Sequence, residues 1–374
     1  MTYIFLGDSP LLKTGFATIT KNIVPQLDLP NKHFWAIGYN GEPHNFNFNL
    51  YPANINSAWE SKENANKFKN FALSFEDDLT IWTIHDAFRL SEFAEDISEL
   101  KEQRNVKLVS YIPVDSPLTL AHNKPFLDLV DVIVAYTEFG KKELQKITDK
   151  KILIIPHGND EDFQKRETLK ERFFPSLGDK KLIGVVNTNT ERKNPLRSLE
   201  ILQKILEQDE NWMMYFHCDA EGFCDLKRAA YQMGILQNCI FADPFFQSNT
   251  IGAAGASKED LISLYNCFDF YLSTSLGEGW GLTATEAASC EVPVILPKNS
   301  AFQDIFDEES CLFLPRGHTT MYLNNLIYDV DAEASANLIL EKESGLIERA
   351  KIAKRKVEKF KWTEINKKWQ MLIE

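Results

Sequence analysis

The chain has 374 residues, 44% apolar and 25% charged, with a formal net charge of −13. That length exceeds one ordinary core and fits two domains, while 12% aromatic content argues against disorder. The acidic balance argues against nonspecific nucleic-acid binding, and the lack of any apolar run of membrane-spanning length argues against a membrane span.

Met1 to Leu6 read as a first strand rather than a signal peptide, so a cytoplasmic address is expected. Strands are predicted near 2–6, 33–38, 79–84, 107–112, 131–136 and 151–155, then near 181–187, 212–217, 239–242, 269–273, 293–296 and 311–314. Several are unbroken apolar runs, such as Leu182-Ile183-Gly184-Val185-Val186, the pattern of parallel strands buried on both faces. Helical spacing lies between them, as at Leu196, Leu199, Leu202, Ile205 and Leu206 behind Asn194-Pro195. The fold class is α/β, two doubly wound Rossmann-like domains. Turn formers at Pro156-His157-Gly158-Asn159-Asp160 place the boundary, giving domains 1–157 and 158–359 and a helical segment from about 360 to 374.

In chain order, His85-Asp86 follows the strand Thr80 to Ile84, at the kind of strand end where open α/β sheets place ligands. Asp115 occupies a similar strand end. It either orients an acceptor, serves as a base, or forms an Asx turn before Pro117. Asn187 to Asn194 follow the first strand of the second half and carry Arg192 and Lys193. The six cysteines, Cys218, Cys224, Cys239, Cys267, Cys290 and Cys311, include no Cys-x-x-Cys pair and read as free buried thiols.

The strongest local signal is Gly277-Glu278-Gly279-Trp280-Gly281-Leu282-Thr283, followed by Glu286. A strand feeds a glycine-rich turn and then a helix from about Leu282. Glycines let a ligand approach the backbone, and free N–H groups at a helix start hold an anion. A carboxylate at Glu286 can accept both hydroxyls of a ribose, and Glu278 is placed to meet a sugar. Near the end, Lys351, Lys354, Arg355, Lys356, Lys359 and Lys361 are either the solvated face of an amphipathic helix or a phosphate-contacting patch.

The segment from Gly277 to Glu286 resembles the E-x7-E region of retaining glycosyltransferases of the GT-B fold, family four, and the stretches Phe5 to Pro10 with Thr14-Gly15-Phe16 and Pro113-Val114-Asp115 look most like phage-encoded members. Ala287 to Ile295 continue the match, except that Glu291 stands where the pattern has glycine, a change expected to touch the helix C-cap more than chemistry. The resemblance implies two Rossmann-like domains facing across a cleft, acceptor side first and nucleotide-sugar donor side second, with the last helix crossing back onto the first domain. It implies that Glu286 binds the donor ribose. Glu278 and the backbone of Gly279, Trp280, Gly281, Leu282 and Thr283 would line the donor, and Gly15, ahead of a helix from about Ala17, would approach its phosphates. His85 would meet the donor sugar.

The family has an arginine where this chain has Thr188 and a lysine at the position of Lys193; Arg192 is the candidate for the second charge on the diphosphate. No cofactor or metal is expected, because protein cations would stabilise the leaving group. The implied function is transfer of a UDP-linked sugar to an acceptor hydroxyl. Hydroxymethylated cytosine in phage DNA is the leading acceptor, with a glycan, lipid or small molecule as the alternative, and a degenerate binding module as the other class. A monomer or weak homodimer is expected.

Overall fold

The structure is a computed structural model that describes residues 1–53, 62–118, 120–242, 256–322 and 325–373. Residue 374, the end of the predicted terminal segment, lies outside them. The chain divides into two compact units, Met1–Gly158 with Trp362–Glu374, and Asn159–Lys361.

The first unit holds a parallel sheet of β1 (Thr2–Asp8), β2 (Lys32–Ile37), β3 (Asn49–Ala53), β4 (Leu79–Ile84), β5 (Val106–Ile112), β6 (Val132–Ala135) and β7 (Ile152–Ile154), in the order β3-β2-β1-β4-β5-β6-β7. β1 and β4 are buried at every position, as strands covered by helices on both faces must be. β3 escapes sequence prediction because Pro52 removes a ladder donor. The sheet tolerates it only because β3 is the edge strand. The helix Trp362–Ile373 belongs to this unit. Trp369 is fully buried, edge-on to Trp82 at 5.5 Å and to Tyr111 at 4.7 Å between ring centroids.

The second unit holds β8 (Lys181–Val186), β9 (Trp212–His217), β10 (Cys239–Phe241), β11 (Phe270–Leu272), β12 (Val294–Pro297) and β13 (Leu312–Leu314), all parallel, in the order β10-β9-β8-β11-β12-β13. At Gly184 a Cβ would stand 2.2 Å from the Phe268 ring, so glycine lets that ring pack on β8. A ribbon of β14 (Arg316–Tyr322) and β15 (Asn325–Val330) follows, antiparallel and absent from the sequence expectation. Most of its side chains are exposed or half-buried, so no buried apolar run marked it.

Helix ends follow local chemistry. Thr14 caps the helix Gly15–Ile23, which starts two residues earlier than predicted, by accepting the Ala17 N–H at 3.0 Å. The helix Leu282–Ser289 ends in a Schellman motif: the Val292 N–H reaches Ala287 O at 3.0 Å, and the Glu291 N–H reaches Ala288 O at 3.0 Å. Glu291 therefore takes the left-handed conformation, φ +56°, where glycine is usual. Its carboxylate accepts from Lys354 at 2.7 Å and Lys165 at 3.2 Å, contacts that partly offset the backbone strain.

Candidate active site

In the sheet order of the second unit, β8 and β11 are neighbours, so the loops leaving their carboxyl ends are adjacent. The β8 loop, Asn187 to Asn194, is pinned to the β11 loop by the Leu276 N–H donating to Arg192 O at 2.8 Å and by Thr274 Oγ1 donating to Asn194 O at 2.8 Å. Asn194 turns the chain at φ +50° and Pro195 opens the next helix. The Asn194 side chain donates to Asp329 Oδ1 at 2.9 Å, and Arg197 donates to Asp329 Oδ2 through Nε at 3.0 Å and Nη2 at 2.7 Å. Asp329 comes from β15, so the ribbon braces the turn that carries Arg192 and Lys193.

These braces aim both cations at Glu278. Lys193 Nζ lies 2.5 Å from Glu278 Oε1, and Arg192 Nη1 lies 3.0 Å from Oε2 and 2.6 Å from Gly277 O. Ser275 Oγ donates to Oε1 at 2.6 Å, and the Glu278 N–H donates to Ser300 Oγ at 2.8 Å. Burial by itself would raise the Glu278 carboxyl. The charges of Lys193 and Arg192, with the hydrogen bonds from Lys193 and Ser275, overcome it and hold the group down at about 2. Glu278 is thus a buried, ionised carboxylate on two cations. Thr188 supplies no charge; its hydroxyl lies 3.4 Å from that of Thr190.

Gly281 carries the turn into the helix Leu282–Ser289 at φ +89°, where an added Cβ would lie 2.5 Å from Phe302 Cε1. Among Gly277, Gly279 and Gly281 it is the one with a positive φ. Neither this helix nor Pro195–Leu206 has a side-chain cap at its start; at the latter Pro195 has no N–H and the Arg197 N–H donates to Asn194 O at 3.1 Å, so the first turn of Leu282–Ser289 is the better placed to meet an anion. Trp280 is buried edge-on to Phe360 at 4.9 Å between ring centroids, so its indole is mainly a packing group. Thr283 Oγ1 meets the Tyr271 hydroxyl at 2.7 Å, and Glu286 Oε2 accepts from the Tyr265 hydroxyl at 2.8 Å. The two glutamates, Arg192, Lys193 and Thr283 therefore belong to one unit.

The first unit gathers a second set at its own strand ends. His85 follows β4, is 7% exposed, and packs on Phe16 at 4.5 Å between ring centroids. Its Nδ1 accepts the Asp86 N–H at 2.8 Å and also lies 3.3 Å from Asp86 Oδ2. Asp8, at the end of β1, accepts from Thr14 Oγ1 at 2.6 Å. Burial pushes its carboxyl up, opposed by His85 and Thr14. Gly15 directly follows Thr14. Asp115 is half-buried and accepts from Ser116 Oγ at 3.1 Å.

Residues 167–355 match the family described as Glycosyl transferases group 1. The chain belongs to that family. The match takes in Arg192, Lys193, Tyr265, Glu278 and Glu286, and it leaves out Gly15, His85 and Asp115. No curated protein sequence matches this chain. Solved structures share its fold along the whole length. HepE of Anabaena, solved with UDP and glucose, is 14% identical, covers 100% of this chain and 99% of its own, and superposes with a TM-score of 0.74. Sucrose-phosphate synthase of Thermosynechococcus elongatus is 15% identical over 100% and 98%, with a TM-score of 0.74. A glycosyltransferase of Rickettsia africae is 17% identical over 100% and 98%, with a TM-score of 0.72.

This group 1 glycosyltransferase therefore has two parallel-sheet Rossmann-like domains of the GT-B type. Sequence reasoning missed Tyr265, Ser275, Ser300 and Asp329 as members of its site. The first three read locally as packing or turn residues, and Asp329 lies on the unforeseen ribbon. Of the two readings of the basic C-terminal run, the solvated helix face fits the structure better than the phosphate patch. Lys351 pairs with Glu348, Lys354 with Glu291, Lys356 with Asp307 and Lys361 with Glu161, so four of its six cations are already matched by acids. Among the described residues no helix is long and apolar enough to cross a membrane, and no three His, Cys, Asp or Glu side chains converge to hold a metal ion.

Proposed function

We propose that this glycosyltransferase takes a sugar from a nucleotide diphosphate, UDP-linked, and moves it to an acceptor hydroxyl with retention at the anomeric carbon, as in family four. The observation that carries this reading is the Arg192–Glu278–Lys193 cluster at the carboxyl ends of β8 and β11, beside Glu286. A diphosphate competes with the Glu278 carboxylate for the same two cations and is met by amides at the start of the helix Leu282–Ser289. Arg192 takes the place of the arginine that Thr188 lacks, and its planar fork of donors suits a phosphate. Glu286 receives the ribose hydroxyls, and Glu278, released from the cations, faces the sugar together with Gly279, Trp280, Gly281, Leu282 and Thr283.

The anomeric carbon–phosphate oxygen bond breaks, and Lys193, Arg192 and the amides stabilise the departing diphosphate. The acceptor oxygen bonds to the same face of the sugar and its proton passes to the departing phosphate oxygen. Asp115 takes the acceptor-side role, orienting the acceptor or serving as its base, while His85 meets the donor sugar and Gly15 lies close to phosphate.

For the acceptor we propose hydroxymethylated cytosine in phage DNA, on the resemblance of Phe5 to Pro10 with Thr14-Gly15-Phe16, and of Pro113-Val114-Asp115, to phage-encoded members. An enzyme acting on a duplex base has to extrude it and neutralise nearby phosphates. The acid-paired C-terminal run offers little for that, which favours a second reading in which the acceptor is a glycan, lipid or small molecule. A panel of nucleotide sugars with hydroxymethylated DNA, digested and read by mass spectrometry, decides between them. Glucosylated or arabinosylated hydroxymethylcytidine supports the first reading. Unmodified nucleosides, with transfer to a small hydroxylic acceptor, support the second. An inverted product anomer by NMR would refute retention.

A further inference from the structure

We infer that Tyr265 is a positioning residue that orients the Glu286 carboxylate and thereby sets a preference for ribose over 2′-deoxyribose in the donor nucleotide; this rests on the ribose role proposed for Glu286. The helix Lys258–Tyr265 ends on Tyr265, which is fully buried and donates its hydroxyl to Glu286 Oε2 at 2.8 Å. The ring is held from three sides, by Phe163 at 5.9 Å, Phe268 at 6.0 Å and Tyr271 at 6.4 Å between centroids.

A phenol fixed in this way cannot follow the carboxylate. The carboxylate must settle on the phenol, and its plane is set from beneath. Burial, reinforced by the negative charge of Glu286, keeps the phenol protonated far above neutral pH, so it is a constant donor. Glu286 itself is half-buried on the first turns of Leu282–Ser289. A carboxylate accepts up to about four hydrogen bonds, two on each oxygen. The phenol takes one site, and the orientation it imposes decides whether two others meet a vicinal diol together. Without it the carboxylate loses this anchor on a terminal torsion that is intrinsically soft, and its match to a vicinal pair of hydroxyls loosens.

The experiment is calorimetric titration of the full chain with UDP and with 2′-deoxy-UDP. Tyr265→Phe deletes one oxygen and keeps all three ring contacts. The wild type should favour UDP. Tyr265→Phe should lower the ratio of the two affinities about tenfold, the effect of one hydrogen bond to a charged group. It should also raise KM for the donor with kcat at saturation nearly unchanged. Glu286→Gln should lower the same ratio, and adding Tyr265→Phe to it should change nothing more. A wild-type ratio in Tyr265→Phe, with the ratio lowered in Glu286→Gln, overturns the role of Tyr265 alone. A wild-type ratio in Glu286→Gln overturns the ribose reading itself.

Discussion

Glu278 sets two large effects against each other. Removing a carboxylate from water is costly, and the cost is met only when charge and hydrogen bonds replace the lost solvent. Here Lys193, Arg192 and Ser275 supply both, and the carboxyl titrates at about 2 despite its burial. Because the folded value lies below the ordinary 4.5, the group adds stability above that pH and loses it as pH falls from about 4.5 towards about 2. Glu278→Gln removes the negative charge that Lys193 and Arg192 share and should destabilise the protein by about 3–5 kcal/mol at neutral pH. Thermal melts of wild type and variant should draw together below pH 4.5; parallel curves would show that the carboxylate is not held by these cations. The same variant should bind UDP more tightly while turnover collapses, because the competitor for the diphosphate is gone and the group facing the sugar is gone with it. Weaker UDP binding by titration would show that Glu278 and the phosphates do not share their cations.

At the scale of elements, the site consists of turns whose backbone shape is dictated by neighbours. Gly281 is the clearest case: its left-handed conformation and the nearby Phe302 ring both exclude a side chain. Gly281→Ala should cost about 1–3 kcal/mol from backbone strain alone. It should also weaken donor binding, since relief requires the start of the helix Leu282–Ser289 to move. A variant with wild-type melting temperature and UDP affinity would show the turn to be pliable. Glu291 shows the opposite arrangement, a non-glycine residue in the left-handed position, compensated by Lys165 and Lys354. β8, β9 and β11 were legible because buried parallel strands must be apolar throughout. β3 was obscured by Pro52. β14 and β15 were hidden because an exposed ribbon has no apolar face to display, although Asp329 on it anchors Asn194 and Arg197.

Over the whole molecule, the chain's two ends join one unit. Trp369, more than two hundred residues from its nearest sheet neighbours, completes the aromatic cluster of Trp82 and Tyr111. Trp369→Ala should cost that unit about 3–5 kcal/mol through lost burial and the cavity left behind. In calorimetry the loss should fall on the transition of Met1–Gly158 with Trp362–Glu374, while the unit Asn159–Lys361 melts as before. An unshifted profile would show that the terminal helix adds little to the core. The sequence by itself determined the two parallel sheets and the contiguous run from Gly277 to Glu286, because burial on both faces and a strand–turn–helix motif are written in neighbouring residues. Only the tertiary structure decided that Lys193 and Arg192 meet Glu278, that Tyr265 holds Glu286, and that acids from other segments pair with three of the six cations of the basic C-terminal run. Those pairings depend on which segments the fold makes adjacent, and side chains 21 to 200 residues apart carry no local mark of their partners.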